Sequence, residues 1–168
     1  MDIESEMRQR GEFPVDQPME ALKTDHRLVR QLFDRYFQTQ DMSEKQDTGR
    51  HILSLLEMHT ALEETVFYPR VRSEDSSLID QCEQDHDQAR QLIRSLRLMN
   101  DGDPQAEPLF RQLAEAILRH VELEEQQLFP KIEQSNLDLS GIGHEMQAFE
   151  TRMIADRMQK PVAPGFRL

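Results

Sequence analysis

Apolar residues recur along most of this chain at intervals of three and four, the period of a helix that buries one face. Leu22, Val29, Leu32, Phe33 and Tyr36 mark a first helix from about Pro18 to Gln38. After a polar stretch that starts at Thr39, a second helix from roughly Ser43 to Val71 puts Ile52, Leu55, Leu56, Leu62, Val66 and Phe67 on one side. Ser73 to Ser77 interrupt the pattern. A third helix follows from about Leu78 to Met99, and Asn100-Asp-Gly-Asp-Pro104 then stacks turn formers ahead of a helix-starting proline. The fourth, about Pro104 to Gln134, carries Leu109, Leu113, Ala116, Ile117, Leu123 and Leu128. A fifth, from about His144 to Gln159, presents Met146, Phe149, Met153 and Ile154. Four long helices with short connections predict an all-α fold, an antiparallel up-down four-helix bundle, with an additional C-terminal helix. The helical domain spans residues 15–160, between a loosely held arm at 1–14 and an irregular tail at 161–168.

Polar residues break the apolar stripe at repeated places. His59-Thr-Ala-Leu-Glu63-Glu64, ending in Phe67-Tyr68-Pro69-Arg70, is echoed by His120-Val-Glu-Leu-Glu124-Glu125, ending in Leu128-Phe129-Pro130-Lys131. The preceding helices repeat as well, with Asp25-His26 before Arg30-Gln31-Leu32 and Asp85-His86 before Arg90-Gln91-Leu92. The openings recur 60 residues apart and the HxxxE segments 61 apart, so the chain is one helical hairpin duplicated. Pro69 and Pro130 each lack the N–H that an interior helical turn needs, and each marks a kink or a final turn.

In HxxxE the two side chains lie about one turn apart and project from the same face, where both can reach one cation. Two such pairs, each with a single His on the helix before, bring His26, His59, Glu63, His86, His120 and Glu124 toward the bundle axis. Nitrogen and carboxylate donors without sulfur suit iron or manganese, and zinc and copper fit the same donors. Six side chains exceed one tetrahedral ion and are natural for two ions bridged by carboxylates. Without metal, two carboxylates held close in an apolar interior are expected to raise one another's pKa or to drive the helices apart.

The order H, HxxxE, H, HxxxE over roughly residues 18–134 resembles the hemerythrin-like, or HHE cation-binding, family. That resemblance implies a bundle around two non-haem iron ions with a bridging oxo or hydroxo group, meeting O2, peroxide or nitric oxide. Oxygen-carrying hemerythrins have a fifth His one turn after the third-helix His, where this chain has Arg90, and commonly Asp where it has Glu124. A site of four His and two Glu leaves coordination positions open, which favours reaction with a small diatomic or peroxide ligand, fed by an electron donor, over reversible carriage. The alternative is an iron- or oxygen-sensing module without turnover, so enzyme status stays undecided between the two.

The remaining polar residues receive ordinary expectations. Glu64 and Glu125 are rotated about 100° from the paired glutamates and are expected to face water, the alternative being a supporting role behind the ligands. Arg30 and Arg90 are expected to reach outward. His51 and His144 are the spare imidazoles that a fifth ligand would require, Cys82 reads as a small packing residue, and Tyr36 and Tyr68 read as packing.

Composition removes several function classes. Thirty-two acidic against twenty basic residues give a net charge of -12, which disfavours nucleic acid and anionic membranes as partners. A single cysteine forbids an intrachain disulfide and a thiolate cage. No stretch approaches the ~18 consecutive apolar residues of a spanning helix, and the start has no basic leader. A reducing cytoplasm fits these features.

Overall fold

The computed structural model describes residues 11–159, so most of the arm and the tail lie outside the described residues. Helix α1 (Pro18–Gln38) opens with proline at its first position, where the missing N–H removes no intrahelical bond. Helix α2 starts at Met42 behind Asp41, whose carboxylate accepts from the N–H groups of Ser43 and Glu44 at 2.8 and 3.1 Å. It is α-helical over Met42–Leu62, π-helical over Glu63–Phe67 and α-helical again over Tyr68–Val71. Helix α3 (Ser76–Leu98) is capped by Asp75 through the N–H of Leu78 at 3.0 Å. Helix α4 repeats the build of α2, with Ala106–Leu123, a π segment at Glu124–Leu128 and a last piece at Phe129–Glu133. No strand occurs among the described residues.

Helix α5 (Leu139–Gln159) begins five residues earlier than its apolar periodicity predicts. The Asp138 carboxylate accepts from the N–H of Gly141 at 3.0 Å and starts the helix there. Gly143 is inside this helix for a steric reason, because a Cβ at that position would stand 1.9 Å from the carbonyl oxygen of Val15. The backbone at Val15 thus lies directly on α5.

The hairpins α1–α2 and α3–α4 supply most of the packing, and α5 lies across α1, α2 and the π segment of α2. The core has two apolar halves. One, from Val29, Phe33, Ile52, Leu56, Ile93 and Leu113 among others, fills the end where α1 meets α2 and α3 meets α4. The other, from Leu22, Phe67, Val71, Ile79, Phe129 and Met146 among others, fills the end covered by α5. Between them runs a single buried layer of histidine and glutamate.

Candidate metal centre

That layer holds all six residues singled out in the sequence. His26 comes from α1, His59 and Glu63 from α2, His86 from α3, and His120 and Glu124 from α4; all are buried, and both glutamates completely. The two His–Glu pairs meet across one turn as the spacing requires, with Nε2 to Oε1 distances of 3.1 Å for His59–Glu63 and for His120–Glu124.

Each imidazole is aimed from behind by a carboxylate on the neighbouring helix. Asp25 of α1 lies 3.0 Å from Nδ1 of His59, and Glu64 of α2 lies 3.0 Å from Nδ1 of His86. Asp85 of α3 lies 3.2 Å from Nδ1 of His120, and Glu125 of α4 lies 3.4 Å from Nδ1 of His26. The four pairs form a closed ring around the bundle, α1 to α2 to α3 to α4 and back to α1. A carboxylate on Nδ1 holds the proton there and leaves the lone pair on Nε2, which is how a histidine is prepared for a cation.

The Nε2 atoms face oxygens and one another. Nε2 of His86 stands 3.1 Å from Oε2 of Glu63 and 3.0 Å from Nε2 of His120, and Nε2 of His26 stands 3.4 Å from Oε1 of Glu124. At these distances a proton or a cation must lie between the facing atoms. Nε2 of His26 and His59 and Oε1 of Glu63 and Glu124 are buried without a hydrogen-bond partner, a costly arrangement that a metal ion would satisfy. The donor atoms fall into two groups, His26, His59, Glu63 and Glu124, and Glu63, His86 and His120, each with its atoms within 4.8 Å of one another. Glu63 belongs to both, so the arrangement can hold two cations with a carboxylate between them.

Proton affinities report the same crowding. Burial would lower the pKa of His59, but Glu63 and Asp25 outweigh it and hold the value well above that of a free imidazole. Burial likewise opposes protonation of His120, and Glu124 and Asp85 bring its pKa up to about 10. Glu63 corrects the expectation that the two carboxylates raise each other. Burial and Glu124 do push its pKa up, yet His59 and His86 push harder and the net shift is downward. Glu124 is held well below the carboxylate range by His120 and His26 against its burial.

Sequence reasoning left Tyr68 as packing, and the π turn makes it part of the site. At about 100° per residue, five α-helical steps from Glu63 would carry position 68 roughly 140° around the helix. The π turn adds a residue to that loop, and the N–H of Tyr68 bonds the carbonyl of Glu63, stacking the two side chains on one side. The phenol hydroxyl donates to Glu124 at 3.0 Å or to Glu63 at 3.2 Å, and lies 3.2 and 3.4 Å from Nε2 of His86 and His120. Phe129 is its equivalent in the second hairpin, and its ring stacks on His26 at 6.0 Å. The repeat is therefore asymmetric at one hydroxyl. The prolines were the signal available: each sits two residues beyond its π turn.

Other expectations divide. Glu64 and Glu125 do not simply face water, since each orients a histidine. Arg90 does not simply reach outward; its guanidinium grips Glu64 through two bonds of 3.0 and 2.9 Å. Arg30 stands 3.9 Å from Glu125, a looser version of the same pair. His51 joins neither donor group, and exposed His144 gives its Nδ1 proton to the carbonyl of Ser140 at 2.7 Å. Cys82 is buried beside Tyr68 among apolar neighbours, and burial pushes its thiol pKa far up.

Known proteins show this arrangement of helices. A solved structure from Mycobacterium kansasii, a hemerythrin HHE cation binding domain-containing protein described as an Rv2633c homolog, superposes with a TM-score of 0.68. It is 19% identical, the likeness covers 84% of this chain and 91% of that one, and it establishes the fold. A curated relative named DNA nickase, from Nostoc sp. (strain PCC 7120), is 28% identical over 146 residues, and the match spans 84% of this chain but only 40% of that protein's length. The pattern of the hemerythrin HHE cation binding domain matches residues 17–132, which contain the duplicated hairpin and both donor groups. On that match the chain belongs to the hemerythrin HHE cation-binding domain family.

Proposed function

We propose that the centre holds two iron ions and reacts with O2, peroxide or nitric oxide. His26, His59 and Glu124 would hold one ion and His86 and His120 the other, with Glu63 within reach of both and an oxide or hydroxide supplying the remaining negative charge. The single observation that carries this reading is the convergence of four Nε2 atoms on two buried carboxylates with every Nδ1 already engaged. When bound, the irons supply the redox chemistry, and the protein supplies donor geometry, exclusion of water and access.

Access supports a small, weakly polar reactant. A small pocket of about 10 Å³, which Tyr68 does not line, touches all four imidazoles. Its other walls include Val29, Leu55, Leu56, Ile117 and Val121. That volume is about what one water-sized molecule needs, which limits a reactant there to a few atoms. DNA nicking is not part of this reading, because a net charge of -12 opposes a phosphate backbone.

Metal analysis of purified protein tests the proposal directly. Two irons per chain are expected, and one zinc, or no bound metal after growth with ample iron, overturns it. Stopped-flow mixing of the anaerobically reduced protein with each small molecule then separates turnover from simple binding. Leu55→Phe, which fills the void, should slow that reaction while metal content stays at two per chain.

A further inference from the structure

At the end of the bundle where α1 turns into α2 and α3 into α4, a half-open cleft of about 330 Å³ lies apart from the metal layer. That volume is at the small end of the range for small-molecule sites. Its floor is aromatic: Tyr36 and Phe110 lie with ring centroids 4.3 Å apart. Gly49 lets them approach α2, since a Cβ there would come within 2.9 Å of the Phe110 ring.

We propose that this cleft binds a small, uncharged planar ring molecule carrying a carbonyl oxygen. The recognising group is the Tyr36 hydroxyl. Tyr36 is only 4% exposed and lines the cleft, yet its hydroxyl hydrogen-bonds to none of the described residues. The hydroxyl oxygen is not sealed off, so its donor is available to what enters the cleft. Burial and the nearby Glu107 push its pKa up to about 12, which keeps the proton available to donate.

Charge at the rim favours a neutral ligand. Lys45 is engaged by Glu107 at 2.9 Å, and Arg50 by Asp47 and Asp101 at 2.7 and 3.0 Å. The charged lining residues, two basic and three acidic, leave an excess of one negative charge, which repels a carboxylate. The apolar lining from Met42, Leu53, Leu96, Met99 and Phe110 favours a compact hydrocarbon ring, and the Tyr36 donor calls for an acceptor on it.

Equilibrium dialysis of the full chain as purified, with coumarin as probe, tests this. One saturable site per chain is expected, with coumarin-3-carboxylate at least tenfold weaker. Tyr36→Phe keeps the ring floor and removes one neutral hydrogen bond, a loss of about fivefold in affinity. Ala106→Phe, which fills the cleft, should abolish binding, while Leu98→Phe on the open surface leaves it unchanged. Absence of saturable binding up to millimolar coumarin, full affinity in either Tyr36→Phe or Ala106→Phe, or equal affinity for the anion overturns the proposal. If Ala106→Phe fails to fold, Tyr36→Phe carries the decision alone. Dialysis with and without iron separates this site from the metal centre, whose reading stands or falls on metal content.

Discussion

The hydroxyl of Tyr68 lies 3.0 Å from Oε2 of Glu124, so a side chain of the first hairpin donates to the carboxylate of the second. Phe129 occupies the matching place and offers no donor, stacking instead on His26. Among the described residues this phenol is the one neutral side-chain donor bonded to the two carboxylates, which are otherwise opposed by imidazole nitrogen. Burial, then Glu124 and Glu63, push its own pKa far up, so it remains protonated there.

Removing that hydroxyl leaves buried carboxylate oxygen short of a partner, at a cost of about 1–3 kcal/mol. Tyr68→Phe should therefore lower the urea midpoint of the chelated protein by a corresponding amount without changing the slope. An unchanged midpoint would mean that the phenol gives nothing to the carboxylates.

Metal removal should destabilise the bundle through the layer between its two apolar halves. A loss of about 3 kcal/mol would lower the melting temperature of a chain this size by roughly 6–12 °C. Calorimetry of the protein as purified, after chelation, and after iron is restored checks this. A melt insensitive to chelation would sink the two-ion reading, since the converging lone pairs of His26 and His59 would then be tolerated without a cation.

The fold and the six central residues were legible because helical period and repeat spacing are local properties of a sequence. His59 and Glu63 lie on one helix four residues apart, and no tertiary information is needed to place them on one face. The surroundings were less legible. Asp25 orients His59 and Glu64 orients His86 across helix boundaries, so their roles depend on which helices become neighbours and at what rotation. An α-helical projection also misplaces Tyr68, because the π turn between Glu63 and Phe67 changes the rotation of everything after it. Helix α5 began early for a similar reason: Gly143 reads as a breaker until Val15 is seen lying against it.

Proton and metal should compete for the same lone pairs. The pKa of His120 is raised to about 10, chiefly by Glu124 and Asp85 working against burial. A group raised in the folded state contributes stability that is fully present below its unfolded value, about 6.5, and is lost as pH rises through the folded value. The chelated protein should therefore lose stability between pH 7 and 10. Metal uptake at pH 7 should release protons, and affinity should rise with pH. Calorimetric titration in buffers of different ionisation enthalpy counts the protons, and zero release would show that the imidazoles are already free.

The carboxylate ring is not uniform, and its inequality predicts an order of effects. Glu64 holds His86 at 3.0 Å and is itself gripped twice by Arg90, with its pKa lowered to about 2 by His86 and then Arg90. Glu125 reaches His26 at 3.4 Å, and Arg30 stays 3.9 Å away. Deleting an outer carboxylate of this kind typically costs 10–100-fold in metal affinity. Glu64→Ala should approach the upper end because Glu64 is the closer and more firmly held of the two carboxylates, and Glu125→Ala should approach the lower end. Arg30→Ala should leave affinity within about twofold, since an exposed pair at that distance contributes little. Competition with a chromophoric chelator measures all three variants. Equal losses at Glu64 and Glu125 would show that the two hairpins hold their histidines alike, with the tighter Arg90 clamp contributing nothing to the metal.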